Sequence, residues 1–176
     1  MFVAGELQAE VSFALAQARL ARLARAGRLL GASQGAHRTG LARLVPADPP
    51  DRVPPVAGLV RVRFADLIAR DNSAHLALRW EAITVDGELF PALDADLTLR
   101  PAGDQATTLN LTGVFRLPPG TQGSRLSQAA VQQVATATIQ AFLNRVAVAI
   151  TDPGPAFESD GGTTGQGGSP PAAEAP

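Results

Sequence analysis

Two hydrophobic spacings organise this chain, and they change over near its middle. From Phe2 to Val11, apolar Phe2, Leu7 and Val11 alternate weakly with Glu6, Gln8 and Glu10, which predicts a first strand. Ser12 is placed to cap a helix. The stretch FALAQARLARLARAGRLL that follows is rich in the strong helix formers Ala, Leu and Arg. Its apolar stripe runs through Phe13, Ala16, Leu20, Leu23, Ala24 and Leu30, and Gly27 and Gly31 weaken its end. Gly31 to Val45 predicts a short second helix, and Pro46 to Pro55 an irregular connection.

From Val60 the period is two. Val60, Val62 and Phe64 alternate with Arg61 and Arg63; Leu76, Leu78, Trp80 and Ala82 alternate with His75, Arg79 and Glu81. Leu93, Ala95, Leu97 and Leu99 alternate with Asp94, Asp96, Thr98 and Arg100. Leu109, Leu111, Gly113, Phe115 and Leu117 alternate with Thr108, Asn110, Thr112 and Arg116. Four half-buried strands in a row predict an antiparallel meander with one apolar face. Asp71-Asn72, Asp86-Gly87 and Pro101-Ala102-Gly103-Asp104 supply the turns, and Pro118-Pro119-Gly120 ends the sheet.

The period then returns to 3.6 for the longest helical pattern of the chain, Ser124 to Ile150. Val131, Ala135, Thr138, Ile139, Phe142, Leu143, Val146 and Ile150 make its apolar side. Arg125, Gln128, Gln132, Thr136, Gln140 and Asn144 make the polar one. Ser124 can cap it and Pro153-Gly154 stop it. These elements predict an α+β domain over residues 1–152. Residues 153–176 are mostly Gly, Pro, Ser, Thr and Ala, and predict a disordered tail with little to bury.

Composition narrows the functions open to such a fold. The 176 residues suffice for one domain with a core, and a formal net charge of −1 gives no global attraction to nucleic acid or anionic membrane. All 15 basic residues are arginine. Cysteine is absent, which excludes disulfides, thiolate metal sites and a cysteine nucleophile. The N-terminus lacks a basic region followed by an apolar run, and no stretch approaches ~20 consecutive apolar residues, so neither a signal peptide nor a membrane span is expected and the cytoplasm is the default location.

Candidate chemistry is sparse. Asp94 and Asp96 share a strand face, but it is the polar face, where arginines such as Arg61, Arg63 or Arg100 make them a solvated charge cluster rather than an acid–base pair. His37 and His75 lie in different elements without a carboxylate cluster, so no metal site is expected, and no nucleophile motif or P-loop points to a catalytic residue or a cofactor. Arg19, Arg22, Arg25 and Arg28 recur every third residue on the first helix, without flanking aromatics, and predict a solvated basic side. Trp80 falls on the apolar face, where its indole N–H needs a partner. Thr138 interrupts the inner stripe of the last helix, bonded back to its own backbone or offering a hydroxyl to a ligand. Gly113 stands where Leu or Val would be expected, as at a bend or a close approach.

A strand, helix, antiparallel strands and a long terminal helix in this order resemble the helix-grip fold of the START-like, or SRPBCC, superfamily, and in particular a small bacterial group of SRPBCC-type proteins. The likeness rests on LVRVRFADLIARDNSAHLALRWEA, GELFPALDADLTLRPAGDQATTLNLTGVFR and VATATIQAFLNRVAVAI. It implies an antiparallel sheet wrapped around the long helix, with an internal apolar cavity that holds a lipid, polyketide or other small hydrophobic molecule. The inner stripes then nominate Phe64, Leu78, Trp80, Leu97, Leu111, Phe115, Val134, Thr138 and Phe142 as ligand-binding walls. A hydrophobic-ligand carrier is the first expectation. A polyketide cyclase or dehydratase-like enzyme using Arg79, His75 or Thr138 is the second, and a cavity-free protein-interaction module the third.

Overall fold

Residues 1–44, 60–83, 89–116 and 128–152 are described by a computed structural model. The expected Pro46–Pro55 connection, the Asp86-Gly87 turn, the Pro118-Pro119-Gly120 stop, the Ser124 cap and the tail from 153 lie outside them. Six strands form one antiparallel sheet: β1 (Phe2–Ala9), β2 (Val60–Phe64), β3 (Ile68–Arg70), β4 (Ser73–Ile83), β5 (Leu89–Pro101) and β6 (Thr107–Phe115). The order across the sheet is β1-β6-β5-β4-β2, and β3 pairs with β4 beside β2. The first strand therefore closes the sheet against the last, locked by reciprocal bonds between Met1 and Phe115 of 2.9 and 2.8 Å. The architecture is α+β of helix-grip type, with α3 (Gln128–Thr151) packed against the sheet.

Pleating puts the apolar series on one face. Leu76, Trp80, Leu97, Leu99, Leu109 and Leu111 are fully buried there. Two departures from the sequence pattern have clear causes. The sheet has one strand more than the alternation shows, because β3 is three residues long, below the length at which a period is visible. Strand β5 begins four residues earlier than Leu93, despite Pro91. The register between β4 and β5 shifts at Trp80/Glu81, a bulge that leaves Ala92 unpaired, and a proline is tolerated at such a break in the ladder.

The N-terminal helical stretch is two helices, α1 (Phe13–Arg25) and α2 (Arg28–Leu41), with a short 3-10 turn at Ala42–Leu44. Gly27 makes the break: its φ of 68° is left-handed, which glycine adopts without steric cost. Gly31, which also suggested an end, lies inside α2. Ser12 occupies the N-cap position of α1, but its hydroxyl makes no capping bond.

Helices α2 and α3 lie side by side on the inner face. They approach closely at Gly40, where an added Cβ would collide with the Thr138 side chain and come within 2.9 Å of the Val134 carbonyl oxygen. At Gly5 a Cβ would come within 2.7 Å of Ile139 Cγ2, so β1 seats α3 directly. At Gly113 it would strike the Asp94 carbonyl and Ala95 on the neighbouring strand, the close approach that the missing side chain suggested. Although α3 has the length and apolarity of a membrane-crossing helix, its stripe from Val134 to Ile150 is buried under the sheet and α2.

Arg19 is not part of a solvated side. Its guanidinium donates to the Ile150 and Thr151 carbonyls at 2.6 and 2.9 Å, closing the last turn of α3 from a helix more than a hundred residues earlier. Arg19→Ala should cost about 1–2 kcal/mol, read as a fall in urea midpoint at unchanged slope, with partial recovery in Arg19→Lys. An unchanged midpoint would show the bond to be fully exchanged for water.

Candidate ligand site

The nominated wall residues fall into two groups. Leu78, Trp80, Leu97, Leu111, Phe115, Val134, Thr138 and Phe142 are all buried in one contiguous core. Phe64 is half-buried, packed on that core from its rim. At the centre, Trp80 from β4 meets Phe142 from α3 edge to face, with ring centroids 5.5 Å apart and planes at 79°. His37 from α2 also stands edge-on to the indole, at 6.4 Å and 85°. Three elements thus converge on one tryptophan. Thr138 does not offer its hydroxyl proton to this centre, because that proton is donated to the Val134 carbonyl at 2.8 Å.

Around this centre and along α2, the described residues leave buried polar atoms without a partner. Among the described residues, Trp80 Nε1, His37 Nδ1 and Ser33 Oγ are buried without a hydrogen-bond partner. Ser33 and His37 are one turn apart on the stripe of α2 that runs Leu29, Ser33, Ala36, His37, Gly40, all buried. Burial lowers the His37 pKa from its ordinary 6.5 to about 4, so the imidazole is neutral near pH 7. Neither residue was nominated from the sequence. The signal was present in that helical spacing, but two of the five residues on the stripe are polar and a third is glycine, so it does not read as a core face.

The opposite face of the sheet gathers the charges. Asp94 pairs with Arg79 at 3.6 Å and Arg116 at 3.3 Å, rather than with Arg61, Arg63 or Arg100. Glu81 lies between Arg79 and Arg63 at 3.3 and 3.5 Å. His75 is held by Ser73 and Thr98 at 3.1 and 3.2 Å. His75 and Arg79 alternate with Leu76, Leu78 and Trp80, so they point away from the core that holds Thr138. The three polar groups considered for an enzyme do not converge on one reacting centre.

Among the described residues, one concavity borders this core and a second lies across the sheet from it. A groove of about 680 Å3 runs between α1 and the link from β2 to β3. Ala14, Ala18 and Ala21 form its helix wall, and Phe64 and Leu67 its floor. Phe64 and Leu67 also pack on the core cluster, and Phe64 pairs with Leu78, two residues from Trp80 on the same strand face. The second, of about 710 Å3, lies on the charged outer face between Phe2, Val114, Arg63, Arg79 and Asp94.

No protein-family model and no curated protein matches the chain. Among solved structures it is similar to a conserved protein from Geobacillus kaustophilus, at 13% identity and a TM-score of 0.46, covering 85% of this chain and 95% of that one. It is also similar to the di-domain ARO/CYC StfQ from the steffimycin biosynthetic pathway, at 13% identity and a TM-score of 0.38, over 86% of this chain and 51% of that one. The aromatase/cyclase Zhui from Streptomyces sp. R1128 follows, at 13% identity and a TM-score of 0.29, over 88% and 98%. Identity and superposition are both low, so the residues of this chain carry the functional reading on their own.

Proposed function

We propose that this protein is an SRPBCC-type binder of a small hydrophobic molecule, which it holds between α1, Phe64 and the Trp80 core. The observation that carries this is the groove along α1. Its volume falls within the ~300–1,000 Å3 typical of ligand sites. Ala14, Ala18, Ala21 and Ala24 line its helix side together with Gln17 and Arg25, and Phe64 and Leu67 join it to the rim of the hydrophobic core. An apolar guest gains by burying against these alanines and Phe64. Gln17, Arg25 and Asp66 edge the groove and can orient a guest by its polar end.

Trp80 is the sole tryptophan and there is no tyrosine, so intrinsic emission reports the core alone. Titrating apolar probes such as tetralin or a medium-chain alcohol should change that emission saturably. Ala18 is exposed on the groove wall, and Ala18→Arg should weaken the effect at least tenfold without lowering the melting temperature. Freshly purified protein from several hosts should carry a small molecule by native mass spectrometry. No saturable response and no passenger in any host would sink the reading.

A further inference from the structure

We propose that Ser33, His37 and Trp80 form a buried anchor for a neutral, oxygen-bearing group, such as a ketone or phenol, on an otherwise apolar ligand. This rests on the apolar-ligand reading above and adds the chemistry of the ligand's head. The observation behind it is independent of the groove: Trp80 Nε1, His37 Nδ1 and Ser33 Oγ are buried and unpartnered among the described residues. Their residues are at most 1% exposed. Buried polar groups in folded proteins are nearly always bonded, and an orphan is costly. His37 lies against the indole of Trp80, and Ser33 is one turn before His37 on the same helix stripe.

The donor inventory sets the ligand class. An indole N–H can only donate, so the ligand must bring an acceptor. A hydroxyl and a neutral imidazole can donate or accept, so a carbonyl, enol or phenol oxygen that accepts from the indole can also pair with either of them. A carboxylate or phosphate would be buried there without a counter-charge. The Arg145 guanidinium packs on Gly35 and donates to Thr39, positions about 120–160° around α2 from Ser33 and His37. Methylene and aromatic parts of the ligand would lie toward Phe64, which lines the groove and pairs with Leu78 two residues from Trp80.

Three probes of one shape separate the possibilities: tetralin, 1-tetralone and tetralin-1-carboxylate. Trp80 gives the single indole N–H signal in a proton–nitrogen spectrum of the full chain. The expected result is that 1-tetralone binds at least tenfold tighter than tetralin and shifts that signal downfield, while the carboxylate binds no tighter than tetralin. Ser33→Ala should leave the ligand-free protein as stable or more so, since its hydroxyl has no partner to lose. The same variant should weaken 1-tetralone severalfold and leave tetralin unchanged, and His37→Phe should do likewise. Equal affinity for tetralin and 1-tetralone overturns the anchor and leaves the apolar site standing. Tightest binding by the carboxylate overturns the neutral class. Reduced stability in Ser33→Ala with unchanged affinity makes Ser33 a structural residue and removes it from the anchor. Binding of no probe overturns the apolar site and the anchor together.

Discussion

Phe142→Ala should lower stability by about 3–5 kcal/mol, the range for truncating a fully buried aromatic in a close-packed core. The residue sits where α3 meets β4, edge to face with Trp80 at 5.5 Å, so removal of the ring deletes both its buried area and an aromatic pair worth about 1 kcal/mol. Helix α3 cannot slide in to fill the gap. Gly40 against Thr138 and Gly5 against Ile139 already hold it at close approach on two sides. The result should be an apolar void on the order of 150 Å3 beside Trp80, able to take up benzene or xenon. Denaturant unfolding followed by Trp80 emission measures the loss, and benzene should restore part of it. A loss below about 1.5 kcal/mol would mean that Phe142 already borders empty space. That outcome would show looser packing at Phe142 than its full burial implies; the groove along α1, which Phe142 does not line, is tested separately by Ala18→Arg.

How far such features could be read in advance depended on whether the chain repeats a signal. Each long strand shows several turns of a period of two, and α3 several turns of 3.6, so sheet, inner face and the pairing with α3 were legible. The centre formed by Trp80 and Phe142 followed from those faces alone. His37 and Ser33 were not found, because their helix stripe mixes polar residues and a glycine with leucine and alanine, and only the burial of α2 against α3 and the sheet gives it meaning. Gly27 was visible as a weak point, but so was Gly31; glycine only permits a break, and the chain takes the left-handed φ at Gly27 while Gly31 continues α2. Arg19 was misread for a similar reason. Its role depends on the end of α3, which no local spacing around residue 19 can encode. The groove was missed because its helix wall is mostly alanine, which is equally at home exposed, buried or lining a concavity.

Lowering the pH from 7 toward 4 should remove roughly 3 kcal/mol of stability through His37 alone. Burial holds its imidazole neutral down to about pH 4, whereas in the unfolded chain it takes up a proton near 6.5. Between those values the unfolded state binds one proton more than the folded state, so stability rises with pH across the window. The contribution is therefore fully present above pH 6.5, shrinks steadily as the pH falls, and is gone below about 4; the gap between the two pKa values corresponds to the stated energy. Carboxylates titrate in the lower part of this window too, so the measurement is a difference. Unfolding free energies of the native chain and of His37→Gln are compared at pH 7, 6, 5 and 4.5. The native chain should lose stability more steeply, with the excess slope beginning near pH 6.5. Parallel curves would show that the folded protein accepts the proton at its ordinary pKa, through water or a carboxylate reaching the ring.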